Sequence, residues 1–104
     1  MPWGDWINEF PTSFFLVVHI AAFALGASFA WLAFKRDLSV LGTAFSLFAA
    51  AELVYMTYHL DWTVFLFAHT IAEVLDLTAF VLVFAAAVYS TVRRPALNTV
   101  EANR

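Results

Sequence analysis

PTSFFLVVHIAAFALGASFAWLAF, residues 11–34, runs twenty-four residues without a charged side chain. At ~1.5 Å per residue, a helix of that length outreaches the ~30 Å hydrocarbon core of a bilayer. Two similar blocks follow. LSVLGTAFSLFAAAELVYMTYHL, residues 38–60, carries one acid, Glu52, and the third block runs from Trp62 to the VRRP of 92–95. That third block is longer than a span needs, so it should tilt or project into water. None shows the period-2 alternation of a β-barrel strand, the other structure that satisfies its own backbone inside lipid. The sequence therefore reads as an all-α integral membrane protein with three transmembrane helices, over 11–34, 38–60 and 62–92.

Composition agrees. The chain is 63% hydrophobic and 12% charged, against about 45–50% and about 25% in soluble domains. A water-soluble domain of 104 residues keeps too much of its surface exposed to hide that apolar excess. Cysteine is absent, which removes disulfides, thiolate metal sites and haem-thioether links. No phosphate loop or nucleophile elbow is present. An acidic chain whose five bases flank membrane spans has no surface for nucleic acid.

The three-helix domain occupies residues 11–94, with an interfacial segment before it (1–10) and a polar tail after it (95–104). The opening MPWGDWINEF lacks the basic start of a signal peptide, so no cleavage is expected. Its Trp3, Trp6 and Phe10 share one helical face, which suits a segment lying at the membrane surface. The tail begins with Pro95 and is expected to be loosely ordered. Lys35 and Arg36 fall between helices one and two, while Arg93, Arg94 and Arg104 follow helix three. Three crossings put all five bases on one side. The positive-inside rule then places the N-terminus outside and the C-terminus in the cytoplasm of, we expect, a prokaryotic plasma membrane.

The polar residues inside the spans carry the functional information. His69, Glu73 and Asp76 lie on one side of helix three, and Glu52, Met56 and His59 share a spacing on helix two, with Tyr55 beside them. In helix one, His19 shares a face with Ala22, Gly26 and Ala30, small residues that let helices approach closely in lipid. Ionisable groups in spans turn away from lipid. Counting residues from the turn near Asp61 puts His19, Glu52 and His69 at one level, with Glu73 a turn deeper and Asp76 near the midplane.

Two imidazoles and a carboxylate from three helices are a first shell for copper, zinc or iron, giving His19, Glu52, His69 and Glu73 as expected metal ligands. Tyr55, His59 and Asp76 are then supporting or relay groups. His19 and His69 could instead ligate a haem b from opposite sides. A file of His, Glu and Asp is also the pattern of a proton or ion pathway, although residues 77–92 offer only Thr78, Tyr89, Ser90 and Thr91 to continue it. Against all of these stands a structural reading, in which the same groups are interhelical contacts. HIAAFALGASF, residues 19–29, resembles the first helix of several haem- and copper-handling membrane families, where a histidine precedes a glycine by two turns. That resemblance spans a tenth of the chain, about one residue in ten, and transfers no site residue. The expectation is a small subunit without catalysis of its own, surrounded by lipid and by other membrane subunits or copies of itself.

Overall fold

The computed structural model describes residues 3–102, with side chains described up to Val92. A short 3-10 turn, Asp5–Glu9, leads into helices α1 (Thr12–Lys35), α2 (Ser39–His59) and α3 (Phe65–Ala102). All three helices are long and apolar enough to cross a membrane, and their candidate spans are Thr12–Lys35, Ser39–His59 and Phe65–Val92. The described residues contain no strand. Helix α2 is central and packs against both neighbours, whereas α1 and α3 do not approach each other.

The core is built almost wholly from small residues. Gly26, Ala30 and Ala33 of α1 are buried, as are Gly42, Ala44, Ala49 and Ala51 of α2 and Ala68, Ala72 and Ala79 of α3. Large side chains such as Val17, Leu25, Phe80 and Phe84 point outward. This inverts the pattern of a water-soluble protein. Lipid tails are as apolar as leucine, so burying leucine gains little, and close backbone contact through Ala and Gly provides the dispersion energy. A Cβ on Gly26 would sit 2.8 Å from a ring carbon of Phe48, which explains why that position has no side chain.

Both interhelical turns use the same device. After α1, Asp37 takes a left-handed conformation with φ 62°, and after α2 Asp61 does likewise with φ 62°. The Leu38 N–H bonds Ala33 O at 2.9 Å and the Asp37 N–H bonds Phe34 O at 3.1 Å. The Trp62 N–H bonds Thr57 O at 2.9 Å and the Asp61 N–H bonds Tyr58 O at 3.0 Å. These are Schellman closures, which satisfy carbonyls that would otherwise be stranded at a helix end. Aspartate substitutes for the usual glycine because its short polar side chain tolerates the left-handed region.

The ends of α3 differ from the sequence expectation. Its start is Phe65 rather than residue 62, because the Schellman turn occupies Leu60–Trp62 and residues 63–64 complete the connection. The expected loose tail from Pro95 is instead helical through Ala102. Proline removes one backbone donor, and the Ala, Leu and Glu that follow are helix formers, so one lost bond does not end the helix. The side chains of Arg93, Arg94 and Arg104, which enter the orientation argument, lie outside the described residues, as do Met1 and Pro2.

The N-terminal segment is exposed from Asp5 to Phe10. Trp3, Trp6, Phe10 and Phe14 form a continuous ladder of edge-to-face contacts with centroid spacings of 6.3, 5.7 and 4.9 Å. Toward the other end of α1, the Lys35 ammonium lies 4.3 Å from the centre of the Trp31 ring, a cation–π contact suited to an anchoring residue pair.

Candidate functional site: a polar seam centred on α2

Among the described residues Glu52 is the one buried ionisable residue, with 9% of its surface accessible. It lies seven residues from the end of α2, and His19 lies seven from the start of α1. The two therefore meet. His19 Nδ1 and Glu52 Oε2 are 2.5 Å apart, with the ring N–H donating to the carboxylate. Their side chains retain 17% and 12% accessibility. A contact this short joins the two side chains by a direct hydrogen bond across the α1–α2 interface.

The His19 ring packs against two rings of α2. Tyr55 stacks on it at 5.2 Å with the planes 16° apart, and His59 lies 5.1 Å away. His59 in turn stacks on Phe15 at 5.0 Å. On the α3 side, the Tyr55 hydroxyl donates to Glu73 Oε1 at 3.2 Å. Tyr55 thus touches His19 of α1 with its ring and Glu73 of α3 with its hydroxyl. It is the residue through which α2 couples its two neighbours.

His69 stands apart from this group. Its ring stacks on Phe65 at 5.2 Å, one turn up its own helix. Register sets its direction. Ala68, Ala72 and Ala79 form the packing face of α3, which puts His69 and Glu73 one residue, or about 100°, to the side. Depth separates the two. With α3 starting at Phe65, His69 lies four residues in and Glu73 eight, so Glu73 is the closer match to Glu52. Of the four expected ligands, the structure joins His19 to Glu52, reaches Glu73 through Tyr55, and leaves His69 with Phe65. Among the described residues no group of three His, Asp or Glu side chains is placed to hold a metal ion.

Asp76 continues the α3 packing face one turn below Ala72. Its Oδ1 is buried and has no hydrogen-bond partner among the described residues. The side chain lines an open groove of about 560 Å³ between α1 and α3, whose other walls include Ala22, Gly26, Ala44, Phe48 and Ala79. Several span hydroxyls are locally satisfied: Thr43, Ser46 and Thr78 donate to the carbonyls of Ser39, Gly42 and Val74. Such bonds need no further role. The sequence reading missed the groove, although Ala68, Ala72 and Ala79 at helical spacing around Asp76 were a usable signal.

Fold and seam together define a small multi-pass membrane protein with polar contacts between its helices. Compared with protein-family models, characterised proteins and solved structures, the chain matches none. Its role has to be read from its own residues.

Proposed function

We propose that this chain is an accessory subunit of a larger membrane assembly, held in shape by its interhelical polar contacts. The observation that carries the reading is the open arrangement of its helices. Helix α2 packs on both neighbours, yet α1 and α3 stay apart and leave an apolar groove with Asp76 in its wall. A bundle closed on itself would bury that groove. The seam pairs its polar groups two by two, as contacts that fix helix register do. The turns between helices are only a few residues long, so almost all of the described chain lies in or beside the spans.

The test is extraction from the host membrane in a lipid-encircling polymer, followed by native mass spectrometry. A particle heavier than one chain, containing other membrane proteins or further copies, supports the reading. A single chain as the whole protein content overturns it. Metal analysis and a visible spectrum of the same particle bear on the cofactor. Stoichiometric copper, zinc or iron, or a Soret band, would shift the proposal toward a metal or haem b site at a subunit boundary, with His19 and Glu52 its first candidates. We also propose that the N-terminus faces outward at a prokaryotic plasma membrane. The cysteine-free chain makes this testable. An impermeant maleimide on intact cells should label Asp61→Cys and spare Asp37→Cys, and the reverse pattern would invert the topology.

A further inference from the structure

We infer that the groove between α1 and α3 receives a transmembrane helix from a different protein, one carrying a lysine or arginine at the depth of Asp76. The inference rests on the accessory-subunit reading and names the chemistry of the partner.

An aspartate at the middle of a span is costly and persists where something compensates it. Asp76 lies eleven residues from the start of α3 and sixteen from the end of its candidate span, so it sits near mid-depth. Inside this chain its Oδ1 has no donor among the described residues. The groove around it is otherwise apolar: Leu25, Phe29, Phe80 and Val83 line it beside the small Ala22 and Ala79, a surface suited to an apolar helix. A lipid tail would fill that volume but give nothing to a carboxylate. A helix bearing a cation does both.

A second copy of this chain does not fit the requirement. Between residues 12 and 92 the spans contain no Lys, Arg, Asn or Gln except Lys35, at the end of α1, which lies over Trp31. The imidazole nearest in depth, His19, lies seven residues into α1 against eleven into α3 for Asp76, about 6 Å off, and its Nδ1 is already taken by Glu52. Copies inserted with the same orientation keep that offset, and a two-fold pairing on the groove would bring Asp76 toward another Asp76. The missing donor must come from a different sequence.

The experiment uses the full chain in lipid nanodiscs with three synthetic transmembrane peptides. Each has an alanine- and glycine-rich face, and their central residue is lysine, leucine or glutamate. Binding is read by energy transfer from a donor dye at the chain's N-terminus. The lysine peptide should bind about tenfold more tightly than the leucine peptide, the worth of one strong interhelical polar contact. That advantage should vanish in Asp76→Leu. Asp76→Asn, which can still accept a hydrogen bond, should retain part of it. An unchanged α1–α2 label distance in each variant verifies folding. Equal binding of the lysine and leucine peptides, or an advantage that survives Asp76→Leu, overturns the inference. So does preferential binding of the glutamate peptide, or self-association through Asp76 in the absence of peptide. If the chain still leaves its host membrane in a heavier particle, only the partner chemistry falls. If it leaves alone, the accessory-subunit reading falls with it.

Discussion

Replacing Glu52 with Leu tests the contact on which the seam is built. The substitution keeps a long apolar side chain at the α1–α2 interface and strips the His19 N–H of its acceptor. The His19 ring should stay in place, because Tyr55 and His59 still pack against it at 5.2 and 5.1 Å. The loss can therefore be assigned to one hydrogen bond. Interhelical hydrogen bonds in membranes average about 0.6 kcal/mol and reach about 1.7 kcal/mol. This one is short, which places it at the upper end, so we expect a coupling of about 1.5 kcal/mol. In equilibrium terms that is roughly a tenfold shift. The assay is a double-mutant cycle over Glu52→Leu, His19→Leu and their combination. Unfolding is driven by a harsh detergent and followed through the distance between spin labels at Val18 and Leu53, both outward-facing and free of cysteine competition. Glu52→Gln belongs in the same series. Its amide oxygen still accepts from Nδ1, so part of the coupling should remain. A coupling below about 0.3 kcal/mol, the level at which distant sites simply add, would refute the pairing and the account of the seam with it.

Substitutions at four further positions test the packing, the turn and the seam. Gly26→Ile forces a Cβ to within 2.8 Å of the Phe48 ring and 3.5 Å of Ala49 Cβ, and should destabilise α1–α2 packing by about 1–3 kcal/mol in the same detergent titration. Gly42→Ala meets only the ring of Phe34, which is 48% exposed and can swing aside, so its cost should stay within about 0.5 kcal/mol. Asp61→Gly relieves a left-handed residue at φ 62° and should raise resistance to unfolding by up to about 1 kcal/mol, whereas Asp61→Val should lower it. Tyr55→Phe removes the 3.2 Å bond to Glu73 but keeps the stack on His19. A stability loss of about 0.5 kcal/mol or less, with the α2–α3 label distance unchanged, is the expected result.

How far the site was legible can be followed residue by residue. The pairing of His19 with Glu52 is visible from sequence, since each lies seven residues in from its helix end. Tyr55 was noticed, but its double contact depends on a ring long enough to reach both neighbours. His69 stacks on Phe65 rather than meeting His19 and Glu52, and two features of α3 place it there. The count ran from Asp61 as though α3 began at once, and the Schellman turn delays it to Phe65. The face was also set by the charged residues, when the alanines at 68, 72 and 79 decide which side of α3 meets α2. Glu73 has the same offset and still meets the Tyr55 hydroxyl, so it is the depth of His69, a turn nearer the start of α3, that separates it from Tyr55.

The three spans and the rough positions of their ends follow from the amino-acid order alone. Spanning depends on local quantities: the length of an apolar run, and a helix's ability to satisfy its own backbone where no water is present. Even the aspartate turns are local chemistry, written in Asp37 and Asp61. Only the tertiary structure decided that α2 is central, that α1 and α3 stay apart, and that Asp76 faces a groove while His69 does not. Those outcomes depend on rotation about each helix axis, and in lipid that rotation is chosen by whichever small-residue face packs most closely, a property of two helices together.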